Sequence, residues 1–191
     1  MGHSQVDKAA SRERILAEAS GQIRREGLES LSVGKLMGKA GLTHGGFYGH
    51  FPSREALLAE ALARALADGS GDARRAAARQ DRPAGLAGFV RSYLSRAHRD
   101  APEAGCAIAA LVCDAGRASE PCRAAMEDQV EGMIDSLQRQ LGGADEAEAM
   151  AAVATLVGAL ALSRVFTDEK RSDAMLRAAR EQVTAMRTSE T

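Results

Sequence analysis

Three of the six aromatic residues, Phe47, Tyr48 and Phe51, fall within five positions, with His50 among them and His44 three residues before. Tyr48 and His50 are too polar for core slots. On one short helix, a ring hydroxyl and imidazoles suit contact with phosphate oxygens and a base edge. Val33, Leu36, Ala40, Leu42, Phe47 and Phe51 recur at intervals that bury one side of two short helices joined by a tight Gly-containing turn. That is the layout of a helix-turn-helix over residues 32–50. A second helix held this way presents its leading end to a major groove. Gly41 and Gly46 have the spacing of a phosphate-cradling loop, but Phe47 stands where that loop needs lysine, which excludes a nucleoside-triphosphate site there.

The second place for chemistry is Cys106, which follows Gly105 at the expected start of a helix. Unpaired N–H groups and the helix dipole there favour the reactive thiolate. Cys113 lies seven residues on, about 10.5 Å along the same helix, too far for a disulfide. Cys122 can approach Cys113 only if the two helices pack antiparallel. Three cysteines without a CxxC pair point to free thiols in a reducing cytoplasm. Two readings stay open, small buried hydrophobes or a redox-sensing Cys106. A thiol-dependent enzyme using Cys106 is the alternative of another class, although no His, Asp or Glu stands near it at a telling spacing. Cys-x6-Cys-x8-Cys lacks zinc spacing and His98 is the single histidine of that half, so neither metal nor cofactor is expected.

The elements that must hold these groups are helical throughout. Ile15, Leu16, Ala19 and Ile23 make one stripe, which Gly27 ends after Arg24 and Arg25. Ser32 caps a helix through Lys39, Thr43 a second through Gly49 or His50, and Ser53 a longer one carrying Leu57, Leu58, Ala61, Leu62, Ala65 and Leu66. Gly69-Ser70-Gly71 is the linker candidate. Pro83 opens a helix through about Arg99, with Leu86, Phe89, Val90, Tyr93 and Leu94 inward. Gly105 starts one through Arg117, and Pro121 sits near the first turn of the next, which runs to Gly142-Gly143. Residues 147–166 form a nearly all-apolar helix, and a last one carries Met175, Leu176, Ala179, Val183 and Met186. The expected fold is all-α, about nine helices, divided into residues 1–52 and 53–191.

The 191 residues hold 45% hydrophobic and only 3% aromatic side chains, so Ala, Leu, Val and Met build the core. Net charge is −1, and any basic surface must be local. Through Arg54 there are eight Lys/Arg against five acids, net +3; the remaining 17 and 21 give −4. A basic N-terminal face on an acidic body suits a DNA reader. The longest uncharged stretch, residues 149–163, is shorter than the roughly 20 residues a membrane span needs. The start lacks a signal-peptide apolar run, and no membrane partner is expected.

The string Ala40-Gly41-Leu42-Thr43-His44-Gly45-Gly46-Phe47-Tyr48-Gly49-His50-Phe51-Pro52-Ser53-Arg54-Glu55-Ala56-Leu57-Leu58 strongly resembles the DNA-binding domain of the TetR family of repressors. Arg12-Glu13-Arg14-Ile15-Leu16 resembles that family's first helix. The likeness implies a three-helix reader, a C-terminal ligand-binding and dimerisation domain, palindromic operator DNA as partner, and release by a small effector. Carried over by position, it implies Thr43, His44 and Gly45 near the groove and Tyr48, His50 and Arg54 at phosphates, with Ser32 and Lys39 nearby. Gly34 and Gly46 replace side chains common in the family, leaving His44 as the main base-edge candidate. Each costs roughly 1 kcal/mol of helix propensity relative to Ala, so a reading helix fully ordered only on DNA is expected. Gly-Cys before an Ala/Leu-rich helix resembles a branch in which some members respond to electrophiles or oxidants.

An effector cavity is expected to draw on Phe89, Tyr93, His98, Cys106, Met126, Gln129, Met133 and Phe166. The homodimer surface is expected on the last two helices, from Ala151, Ala154, Thr155, Gly158, Ala159 and Leu162, with Leu176, Ala179 and Val183 as a second stripe. A cytoplasmic transcription regulator, not an enzyme, is the reading.

Overall fold

The computed structural model describes residues 5–78, 85–103, 105–143 and 145–186. Nine α-helices are present among them: α1 (Gln5–Glu26), α2 (Val33–Lys39), α3 (Arg54–Ala78), α4 (Leu86–Tyr93), α5 (Arg96–Asp100), α6 (Ala107–Ala115), α7 (Glu120–Gln140), α8 (Glu146–Ser163) and α9 (Glu169–Ala185). Two 3-10 helices, Leu28–Ser30 and His44–Gly49, complete the set. The protein is all-α, with a small N-terminal trio set on a helical bundle.

Local signals account for the helix ends. Gly27 adopts φ +86° and donates its N–H to the Ile23 carbonyl at 2.8 Å, closing α1. Gly41, at φ +72°, makes the turn after α2, and the Leu42 N–H bonds the Met37 carbonyl at 2.9 Å. Ser53 caps α3 by accepting the Ala56 N–H at 3.0 Å.

Burial divides into two clusters. The first gathers Ile15, Ala19 and Ile23 of α1, Leu36 and Met37 of α2, Phe47, Phe51 and the inner face of α3, and runs on into Ile108 and Leu111 of α6 and Met126 of α7. The second joins α4, α7, α8 and α9 around Leu86, Leu94, Leu137, Leu156, Leu160 and Val183. Cys106, Val130, Met133 and Val157 touch both clusters, and each keeps some solvent-accessible surface. The seam between the clusters is therefore not fully sealed from solvent.

Four expectations change. Gly69-Ser70-Gly71 is not a linker, because α3 runs through it. Gly69 is there for closeness: a Cβ would lie 3.0 Å from the Gly105 carbonyl oxygen and 3.3 Å from the Ala107 nitrogen. The helix expected through Arg99 is two helices, since Ser95 starts α5 by accepting the His98 N–H at 3.2 Å. Pro83, its expected opener, lies outside the described residues. The second helix of the helix-turn-helix is 3-10, with Gly45, Gly46 and Gly49 among its six residues lowering α propensity. Leu176, Ala179 and Val183 are no outward stripe. They are 1%, 6% and 0% exposed because α9 turns them onto α8. Within the α8 stripe, Ala159 is likewise buried, while Ala151, Ala154 and Leu162 face out beside Met150.

By length and composition α8 could cross a membrane. Ala149, Ala152, Val153, Leu156, Ala159, Leu160 and Ser163 are instead buried against the rest of the protein.

Candidate nucleic-acid interface and effector site

Phe47 and Phe51 anchor the reading helix. Both are 1% exposed, with ring centroids 5.8 Å apart and nearly stacked. Phe47 meets Tyr48 edge-on at 5.2 Å, which steadies a tyrosine that is 70% exposed. Arg12 of α1 lies over the Phe51 ring at 4.7 Å, and its Nη2 donates to both Glu60 carboxylate oxygens at 2.7 and 2.5 Å. The outer side of this unit carries Thr43, His44, Gly45 and Tyr48, all exposed, with His50 half-buried beside them.

His50 sits below the ordinary histidine value, first through burial and then through Lys8 and Arg12. It therefore meets neutral pH as an uncharged ring, able to donate to a phosphate without adding charge. The remaining expected contacts already have work inside the domain. Arg54 donates Nε to the Leu31 carbonyl at 3.0 Å and lies 3.6 Å from Glu29. Lys39 pairs with Glu18 at 2.9 Å. Ser32 uses its main-chain carbonyl to start α2, accepting from Leu36 at 2.9 Å.

Of the expected effector residues, Phe89, Tyr93, His98 and Cys106 come together. The Cys106 N–H donates to His98 Nε2 at 2.7 Å, so His98 Nδ1 is the donor to the Tyr93 carbonyl at 2.6 Å. Burial holds His98 below the ordinary value, consistent with that neutral tautomer. The Tyr93 ring meets His98 edge-on at 4.9 Å and Phe89 at 5.7 Å. Gly105 has no room for a side chain, since a Cβ would come within 2.6 Å of the His98 ring. Because His98 spends Nε2 on the Cys106 backbone, it is no base for the thiol, which disfavours the enzyme reading.

Met133 packs against both clusters, while Met126 is buried in the first cluster and Gln129 is half-exposed on α7. Phe166 lies elsewhere, in a cavity of about 410 Å³ shared with Arg99, Ser163, Arg164 and Ser172. Cys106 is partly exposed at the start of α6, Cys113 is exposed towards its other end, and Cys122 is buried in the first cluster; none is paired. Among the described residues no His/Cys/Asp/Glu group has the arrangement of a metal site.

Two functional-looking residues carry no sequence signal. Arg164 donates Nε to the Arg99 carbonyl and Nη2 to the His98 carbonyl, each at 3.1 Å. Asp114 accepts the Leu28 N–H at 3.1 Å, tying α6 to the N-terminal trio.

Residues 15–61 match the sequence family of bacterial regulatory proteins, tetR family. The match covers the segment that holds the helix-turn-helix, and beyond it the chain shares the fold of solved TetR-family regulators. The TetR fold extends over nearly its whole length. The reduced form of E. coli NemR is 21% identical, with a TM-score of 0.73 over 91% of this chain and 95% of that one. A TetR regulator from Chloroflexus aurantiacus is 16% identical, at 0.76 over 97% and 98%. A TetR-family regulator from Streptomyces coelicolor is 23% identical, at 0.70 over 94% and 96%. No curated protein sequence matches the chain.

Proposed function

We propose that this protein is a TetR-type regulator, a cytoplasmic, ligand-responsive repressor that binds palindromic operator DNA as a homodimer. A small effector, or modification of Cys106, releases it. Residues 1–52 read DNA and 53–191 sense and dimerise. Thr43, His44 and Gly45 approach the groove; Tyr48 and His50 hold phosphates, with Ser32, Lys39 and Arg54 supporting. The exposed apolar side of α8 supports the dimer, since a two-fold partner would cover Met150, Ala151, Ala154 and Leu162.

The observation that carries the effector reading is the route along α6. Cys106 stands at one end, on the seam between the clusters, and Asp114 at the other end holds Leu28 beneath the helix-turn-helix. A displacement at one end is delivered to the other by a rigid helix. The test is a gel shift on the DNA upstream of its own gene with a salt titration. Specific binding that weakens steeply with salt, and is lost on treatment with an alkylating reagent, is expected. Cys106→Ser should bind equally well and resist release; unchanged release would remove Cys106 from the mechanism.

A further inference from the structure

Six glycines fall within residues 32–50. Gly41 is required by its φ of +72°, but the other five lie in helices, where glycine is unfavourable. What surrounds them separates these five. Outside the local backbone, Gly38, Gly45 and Gly49 have nothing within 4 Å of a Cβ position. Gly46 faces Thr43 Oγ1 at 3.6 Å and Met37 Cε at 3.8 Å. Gly34 faces a single atom, Cδ2 of His44, at 3.7 Å. The two helices therefore meet across one glycine from each: Gly46 towards the buried Met37, and Gly34 towards the exposed His44.

His44 opens the reading helix, directly after Thr43. An exposed histidine turns about two side-chain bonds, and that freedom is lost when its ring engages a base. A ring laid against the backbone of α2 has one side occupied before DNA arrives, which lowers the ordering cost of the contact. The space over Gly34 is what permits it. A Cβ there would make an ordinary van der Waals contact with the ring, whereas γ-carbons would reach further into the volume that the imidazole fills.

We infer that Gly34 is a specificity-determining residue: it leaves the patch of α2 backbone on which the His44 imidazole rests, and so fixes where that ring meets a base edge, while touching no base itself. The inference rests on the base-reading role proposed for His44 and adds the residue that positions it. Gly38, Gly45 and Gly49, open around their Cβ positions, have no such part.

The full-length protein is incubated with a library of random-sequence duplexes, and the retained sequences are counted. The wild type is compared with His44→Ala, Gly34→Ala, Gly34→Val and the double variant Gly34→Val with His44→Ala. Position 34 is an exposed helix site, and Ala and Val both exceed Gly in helix propensity, so these changes favour the fold. Gly34→Ala should keep the wild-type preference at every base position. Gly34→Val should lose about ten-fold of preference at the position that His44→Ala relaxes, within the range for one base contact, and keep the others. The double variant should lose no more than His44→Ala alone. Undiminished preference in Gly34→Val, or a further equal loss in the double variant, overturns the inference. Gly34→Ala weakening retention of every sequence alike overturns it too, because the glycine would then admit a phosphate and not the ring. His44→Ala with unaltered preferences refutes the base-reading role of His44 itself, and the positioning role falls with it.

Discussion

The carboxylate of Asp114, at the end of α6, accepts the backbone N–H of Leu28 at 3.1 Å across 86 residues of sequence. Leu28 opens a 3-10 helix whose first N–H groups have no partner within the turn, so Asp114 acts as its cap from a distant element. Its other oxygen pairs with Arg117 at 2.8 Å. Asp114→Ala should cost about 1–2 kcal/mol, as other lost caps do, and should blunt effector release while leaving operator affinity in place. Thermal denaturation with paired gel shifts reads both effects. Gly27→Ala strikes the same joint from the other side, since its Cβ would lie 2.7 Å from Asp114 Oδ2 at a φ of +86°. It should destabilise by more than about 1 kcal/mol.

On DNA the exposed groups divide by what they can touch. Tyr48→Ala and His50→Ala should weaken binding to every sequence about equally, because phosphate contacts carry no sequence information. His44→Ala should relax preference at one base position, a change worth about 1–3 kcal/mol of discrimination. Three variants behaving alike on a panel of operator variants would show that the roles are not divided in this way.

Tyr93→Phe should leave the melting temperature unchanged or raise it, because the variant removes a buried hydroxyl whose one hydrogen-bonding neighbour is the weakly accepting Cys106 sulfur. A clear fall would mean that the hydroxyl has a structural partner, with the neighbouring Cys106 as the candidate.

Acid should destabilise the fold through His98. Burial lowers its value first, opposed by the bond to the Tyr93 carbonyl and reinforced by Arg164. The folded chain then binds fewer protons than the unfolded one once the pH drops below about 6.5, so stability is complete above that and falls as the pH approaches the folded value. His50 acts with the same sign. Protonation would also take from Cys106 its N–H acceptor. His98→Asn, compared with the native chain between pH 7 and 5, should flatten the decline in melting temperature; an unaltered slope would place the acid sensitivity elsewhere.

Glycines in helices separate packing from propensity. Around Gly132 of α7 nothing lies within 4 Å of a Cβ, so Gly132→Ala should stabilise by about 0.5–1 kcal/mol. Gly69→Ala offers the same propensity but meets main-chain atoms of residues 105 and 107 at 3.0 and 3.3 Å, and should give no gain. Denaturant midpoints of the two variants decide it.

Most of the helices, several of their ends and the layout of the helix-turn-helix were legible in the residues themselves. The stripe of Ile15, Leu16, Ala19 and Ile23, the closing Gly27 and the Ser53 cap all act within one or two turns of chain, so their energetics are written locally. The crowding of Phe47, Tyr48 and Phe51 marked the reading unit for the same reason. Tertiary structure alone decided what lies opposite what. No local pattern says that Arg12 will reach Glu60, that Arg164 will clasp the His98 carbonyl 66 residues away, or that Asp114 will meet Leu28. The apolar stripe of α9 was visible in the sequence, but its direction was not. Periodicity states that a face must be covered, and only the neighbouring helix determines whether the cover is α8 of the same chain or a second molecule. Gly69 misled as a linker for a related reason: a missing side chain reads as freedom in one dimension, and in three it admitted the backbone that carries Cys106.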